Sequence, residues 1–367
     1  MRTLSLALLV LAACGPTLPS PPPASALDRA EAQAFGEHFA ELLTRCDVDA
    51  LGAAVDVTTF GLRMLDGVAL DDAKKAAVLS AFKMETLWGP MCGLLRQGHV
   101  RATLLRVVEV DGAPRPLVRL LSDGSANYLE LEVARIDGQP KLVDYVTYSN
   151  AQHATDSMRV GIAASLSDPD PFRADALERF SKCATAGDEA CARVAYEDVP
   201  EEARQSPRMF TMELLFARKD PAKLLALIER FEKVHPGDPK LRFLSIDAHI
   251  LRKEWPQALA AVDQLDQLVH DPFLDSRRAN IELQAGHLDA SRRYAERLVA
   301  TEPELVQGHI ARWWVSMSQR DFAAAVASLK VLHERFDRDP SRAEIAKLVG
   351  GRELLASPQY QAWRGPD

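Results

Sequence analysis

Nine histidines and five cysteines are the side chains of this chain best suited to acid–base, nucleophilic or metal chemistry, and their spacing argues against most of it. His38 and His99 fall in the first half, while His235, His270 and His287 fall at predicted helix ends or turns. No HExxH, GxSxG, P-loop or dinucleotide fingerprint is present. His38 and Glu41, three apart on one helix face, read as a solvated pair. Asp144 with Tyr145 and Tyr148 is the best candidate cluster, because a buried strand carboxylate can act as an acid or base. Strand alternation, however, sets Leu142, Asp144, Val146 and Tyr148 on one face and Val143, Tyr145 and Thr147 on the other. Asp144 is therefore read as a surface residue. No catalytic residue, cofactor-binding residue or metal ligand is expected, no cofactor is required, and the chain is not expected to be an enzyme.

Of the cysteines, Cys14 closes an apolar run from Leu4 to Val10 that follows a single charge at Arg2. The run is too short to cross a bilayer, which takes roughly 20 residues. The remaining four, Cys46, Cys92, Cys183 and Cys191, allow three disulfide connectivities. Cys183 and Cys191 flank Ala186-Gly187-Asp188, which reads as a turn, so a local bridge is the natural pairing there. Cys46 and Cys92 would then form the second. Zinc is disfavoured because no CxxC or HxxxH spacing accompanies them. A net charge of −8 and the lack of a long basic run exclude nucleic acid as an expected partner.

Leu11-Ala12-Ala13-Cys14 at the end of the apolar run resembles a bacterial lipoprotein signal with its lipobox. The resemblance implies cleavage before Cys14 and acylation of its thiol and new amino terminus, palmitate included, so residues 1–13 leave the mature chain. It places the protein in the cell envelope, and at the periplasmic face of the outer membrane, since Gly15 is not the acidic residue that retains enterobacterial lipoproteins at the inner membrane. A plain secretory signal with a small-residue site around Ala24 to Ala26 is the alternative. Residues 14–26 carry Pro16, Pro19, Pro21, Pro22 and Pro23 and read as a semi-rigid linker.

Two domains must position everything else. Residues 27–166 read as α+β. Phe35, Phe39, Leu42 and Leu43 predict a first helix ending near Cys46, and Asp71 opens a second helical stretch through Val78, Phe82 and Leu87 to about Leu95. The period then becomes two, with Asp111-Gly112, Asp123-Gly124 and Asp137-Gly138 separating four predicted strands in a meander. Helices followed by such a sheet resemble the NTF2-like cone, which implies a fold able to hold a pocket but no particular activity.

From 168–367 the pattern is all-helical. Lys219-Asp220-Pro221-Ala222, Lys253-Glu254-Trp255-Pro256, Gly286-His287-Leu288-Asp289 and Arg320-Asp321-Phe322-Ala323 recur at the period of tetratricopeptide repeats. Prolines at 236, 272, 303 and 340 fall near turns between units. The fold class expected is thus an NTF2-like α+β domain followed by a tetratricopeptide-like helical solenoid. That resemblance implies a concave surface for a protein or peptide partner, lined by Glu213, Asp247, Asn280 and Trp314 if the register holds. The apolar stripe of one first helix, Phe243, Ile246 and Ile250, is shifted by about one position from the family pattern. Of Trp313 and Trp314, adjacent on one helix, one is expected to pack and the other to face outward. The function expected is a non-catalytic, membrane-anchored scaffold or adaptor; the alternative is a small-molecule or enzymatic pocket in the first domain.

Overall fold

Aspartates start the N-terminal helices. Asp28, Asp47, Asp56 and Asp71 each accept a hydrogen bond from the backbone N–H three residues on, which satisfies a donor that the first turn leaves unpaired. They open α1 (Arg29–Arg45), α2 (Val48–Ala53), α3 (Val57–Leu65) and α4 (Asp72–Ala81), and α5 (Met84–Gln97) follows. The computed structural model describes residues 18–365, apart from 69, 98–99, 123–124, 150–151, 160–175, 177–178, 181–182, 184–187, 200–203, 205–208, 211–212, 214–216, 218–219 and 235–240. Cys14 and the predicted leader lie outside the described residues.

The single helix expected from Asp71 to Leu95 is broken at Phe82, whose backbone is extended (φ −74°, ψ 124°). The break lets the Phe82 ring stack on Phe60 at 6.2 Å while Met84, Trp88 and Cys92 on α5 turn into the same core. A continuous helix could not aim both sets of side chains at one target.

Among the described residues, six antiparallel strands form one sheet in the order β2-β3-β4-β5-β6, with β1, which precedes α1, on β4: β1 (Ala24–Ser25), β2 (Arg101–Val110), β3 (Ala113–Leu121), β4 (Ala126–Ile136), β5 (Gln139–Thr147) and β6 (Gln152–His153). Asp111-Gly112 and Asp137-Gly138 turn the hairpins with positive φ at both residues, the geometry that matches strand twist. Asp123 and Gly124 lie outside the described residues; the Ser122 N–H bonds the Ser125 carbonyl across them at 2.9 Å. Register shifts at Leu104/Arg106 and Glu132/Val133 are bulges that curl the sheet into a half-barrel.

Both faces of this sheet are covered. Val118, Leu120, Leu129, Leu131 and Tyr145 face α1–α5, where Phe39, Leu43, Leu51, Phe60 and Trp88, all 0% exposed, fill the concavity. Gly36 brings α1 close to the β2–β3 hairpin, since a Cβ there would sit 2.6 Å from Pro116 Cβ. Leu117, Ala126, Tyr128 and Tyr148 face the other way and pack on the C-terminal helices.

The proline-rich stretch is not a free spacer throughout. Ala24 and Ser25 pair with Ile136 and Arg135, on the edge of β4 that β3 leaves open. From Leu18 onward the segment therefore lies on the α+β domain.

The C-terminal region is all helical among the described residues: α6 (Glu189–Glu197), α7 (Pro221–Val234), α8 (Leu241–Leu251), α9 (Trp255–Val269), α10 (Leu274–Gln284), α11 (Leu288–Thr301), α12 (Val306–Ser318), α13 (Phe322–Phe336), α14 (Arg342–Ala346), α15 (Gly351–Ala356) and α16 (Pro358–Arg364). One turn recurs in the pairs α8–α9, α10–α11 and α12–α13. Lys253, Gly286 and Arg320 adopt φ of 58°, 84° and 56°. The next N–H reaches back to the carbonyl five residues earlier, Glu254 to His249, His287 to Glu282 and Asp321 to Ser316, each at 2.9 Å. This is the 6→1 bond of a Schellman motif. Three residues into each following helix sits a small buried residue, Ala258, Ser291 or Ala325, where the paired helices approach. At the far end Ile345, Leu354 and Tyr360 pack against Trp313, Met317 and Leu329.

Cys183 and Cys191 form a disulfide, Cα atoms 5.6 Å apart. The second expected bridge is absent: Cys46 and Cys92 are buried free thiols, with Cys46 Sγ 3.4 Å from the Cys92 carbonyl oxygen. Cys46 occupies the left-handed C-cap of α1 (φ 54°), which aims its side chain at the α5 backbone.

Candidate functional site

Strand register builds the most polar buried cluster of the first domain. Glu132 on β4 pairs with Asp144 on β5, but Val133 pairs with Leu142, so Val143 is the extra residue of a bulge. The bulge breaks the alternation predicted for this strand. Leu142 and Tyr145 both reach the inner core, Tyr145 against Trp88 at 5.8 Å, while the Tyr148 ring lies tilted against Tyr128 at 5.7 Å in the outer core. The predicted cluster of Asp144, Tyr145 and Tyr148 therefore points three ways.

Asp144 is not a surface residue: it is 2% exposed. The chain after β5 covers it. Backbone N–H groups of Tyr145 and Thr155 donate to Oδ1 at 2.8 and 3.3 Å, and the Thr155 hydroxyl donates to Oδ2 at 2.6 Å. His153, at the end of β6, brings Nδ1 to 3.2 Å from Oδ2. Burial alone would raise the Asp144 carboxyl, but the bonds from His153 and Thr155 and the His153 charge outweigh it and hold it below the usual carboxylate range. The same carboxylate, 3.2 Å away, raises His153 above the ordinary imidazole value. Beside them Arg63 of α3 donates to Glu132 at 2.7 Å, and its carbonyl accepts from Arg159.

Glu132, Asp144 and His153 each offer one ligand atom, all within 4.8 Å of one another. As arranged, both carboxylates are committed, Glu132 to Arg63 and Asp144 to Thr155 and two backbone N–H groups, with His153 3.2 Å from Asp144 as an ion pair. The cluster is a charge-compensated network able to hold a proton between pH-active groups. It opens onto a cavity of about 730 Å³ lined also by Thr59, Asp66, Lys75 and, from the N-terminal segment, Leu18 and Pro21.

No family model, no curated protein and no solved structure matches this chain.

The predicted groove residues occupy four helical positions. Glu213 pairs with Arg230 at 2.6 Å beside an apolar-floored cavity that includes Phe180 and Tyr196. Exposed Asp247 on α8 bridges to Arg277 on α10 at 2.7 Å. Asn280 is exposed and accepts from Gln284 at 3.2 Å. Trp314 is 36% exposed, its ring 4.9 Å from that of Trp313, which is buried. Asp247 also lines a cavity of about 540 Å³ where Asn127 and Tyr128 of the sheet meet α8 and α10.

That junction is a feature sequence reasoning missed. Arg119 on β3, 2% exposed, reaches Asp271 in the turn before α10 at 2.5 Å and clamps Glu302 with both terminal nitrogens at 3.1 and 2.8 Å. The Tyr128 hydroxyl donates to Asp271 at 2.9 Å. Burial pushes the Asp271 carboxyl up in spite of the Arg119 charge. His153, Glu132 and Arg63 were missed likewise. A histidine just after the last predicted strand was the available signal, and nothing in its spacing linked it to Asp144.

Proposed function

We propose that this protein is a bacterial envelope lipoprotein, acylated at Cys14, that acts as a non-catalytic scaffold through a tetratricopeptide-like array in its C-terminal half. The observation that carries the reading is the turn repeated at Lys253, Gly286 and Arg320, with the same left-handed residue and the same 6→1 bond in each helix pair. Stacked helix pairs of that kind make extended surfaces that suit peptides and protein segments. Asp247, Asn280 and the half-open Trp314 supply such a surface with two polar residues and one aromatic anchor, the residue type that contributes most in protein interfaces.

The N-terminal domain, read as an NTF2-like cone, serves here as a packed support. Phe39, Leu51, Phe60 and Trp88 occupy the space between its sheet and helices, and its outer face is spent on the helical array. The test is in-cell crosslinking of the full chain beside a variant carrying Trp314→Ala, Asp247→Ala and Asn280→Ala. Loss of a captured protein, with the unfolding midpoint unchanged, supports the adaptor reading; undiminished capture of the same protein removes this surface. Truncation after 168 is a poorer test, because it would bare Leu117 and Tyr128 and leave Arg119 unpaired.

A second reading, a small-molecule or enzymatic site in the first domain, draws on the Asp144–His153 pair. The pair borders a cavity together with a buried Thr59 hydroxyl that has no hydrogen-bond partner among the described residues. An Asp-oriented imidazole is the arrangement general bases use.

A further inference from the structure

The N-terminal segment carries a geometric consequence for how the molecule meets a membrane. Ala24 and Ser25 are pinned to β4 by strand pairing, and Leu18 and Pro21 line the cavity beside Asp144 and His153. Three residues, Gly15, Pro16 and Thr17, separate Leu18 from Cys14. A chain extends by at most about 3.3–3.6 Å per residue, so Leu18 stands no more than about 14 Å from Cys14 however those residues are arranged. The headgroup layer on one side of a bilayer is itself about 5–7 Å thick.

We infer that residues 18–25 are a strap that seats one face of the α+β domain on the lipid headgroup layer. That face contains α3, α4 and the mouth of the Asp144–His153 cavity, and the partner it fits is the bilayer surface itself. The inference rests on acylation at Cys14. It replaces a body swinging on a long spacer by a body of fixed orientation. Thr59 and Leu62 of α3, Asp66 at its C-cap and Lys75 of α4 line the same cavity as Leu18 and Pro21, so they lie on the tethered side of the domain. The last helices pack instead on α12 and α13.

Orientation is read by fluorescence quenching on the full acylated protein in phosphatidylethanolamine–phosphatidylglycerol vesicles carrying headgroup spin-labelled lipid. One fluorophore is placed at Asp66→Cys, on the cavity rim, and in a separate sample at Val349→Cys, 93% exposed between α14 and α15. Buried Cys46 and Cys92 and the bridged Cys183 and Cys191 leave the new thiol selectively reactive. Several-fold stronger quenching at 66 than at 349 is expected. Inserting about ten Gly/Ser residues after Pro16, which adds about 17 Å of root-mean-square reach, should abolish the difference. Equal quenching at the two sites, or a difference that survives the insertion, in a protein whose mass shows the acyl chains, overturns the strap. A mass without acyl chains overturns the lipoprotein reading, and the strap with it.

Discussion

Arg119 and Asp271 stand 152 positions apart in the chain and 2.5 Å apart in the fold, a buried ion pair that joins β3 to the turn before α10. Neither charge has water to fall back on: their side chains are 3% and 0% exposed. The Arg119 guanidinium is held charged by Glu302 and Asp271 against the cost of burial. The pair makes the position of the helical region on the sheet specific, since any sliding would strand both ions.

Removing one partner is expected to be worse than removing both. Arg119→Ala leaves Asp271 buried without its counter-charge and should lower unfolding free energy by about 3–5 kcal/mol. Arg119→Leu with Asp271→Leu should cost less than that single change, because the fully buried carboxylate is gone and the one left without its cation, Glu302, is a quarter exposed to water. Urea unfolding of the three proteins decides it; a double variant less stable than Arg119→Ala would refute the account.

The Asp144–His153 pair predicts a pH window. His153 titrates above its unfolded value of about 6.5, so its contribution is complete below that pH and is lost as pH rises through the raised folded value. Asp144 titrates below its unfolded value of about 3.9, so its contribution is present above that pH and is lost as pH falls through the depressed folded value. The pair is thus at full strength between about pH 4 and 6.5. In Asp144→Asn the His153 titration, followed by NMR, should move down, and the stability deficit of this variant should shrink as pH rises past the wild-type His153 titration. An unmoved titration would mean that the carboxylate does not control the imidazole.

Thiol accounting distinguishes the two cysteine pairs. Alkylation of the denatured, unreduced chain should label Cys46 and Cys92 and spare Cys183 and Cys191. Burial and the neighbouring Cys46 push the Cys92 thiol up to about 12, which starves it of the thiolate that oxidation requires. Replacing Cys183 and Cys191 by Ser should cost about 2.5 kcal/mol by the loop-entropy relation for so short a loop. Protection of all four thiols would show that Cys46 and Cys92 are bridged after all.

The repeated turn offers a test of its own. Lys253 and Arg320 hold the left-handed conformation that Gly286 adopts without a Cβ penalty. Lys253→Gly and Arg320→Gly should each stabilise by up to about 1 kcal/mol, and Gly286→Ala should destabilise by about 1 kcal/mol. The space around Gly286 is open, so the penalty is conformational rather than a clash. Thermal midpoints that shift the opposite way would break the equivalence of the three turns.

Local signals were enough for much of this architecture. Asp-Gly turns located the hairpins, apolar periodicity located α1 and the C-terminal helix pairs, and the spacing of Lys253, Gly286 and Arg320 marked a repeated turn, because each depends on backbone preferences within a few residues. Asp47 and Asp56 were equally legible caps, overlooked because the helices they open are short. What tertiary structure decided was where side chains meet. A one-residue bulge at Val143 inverted the facing predicted for Leu142 and buried Asp144 beside His153. The stripe of Phe243, Ile246 and Ile250 packs toward the sheet, with the Phe243 ring edge-on to Tyr128 at 6.2 Å, a contact that no local spacing announces. Arg119, Asp271 and Glu302 carry no signature in sequence, since buried ions find partners through space and their separation along the chain is set only by the fold.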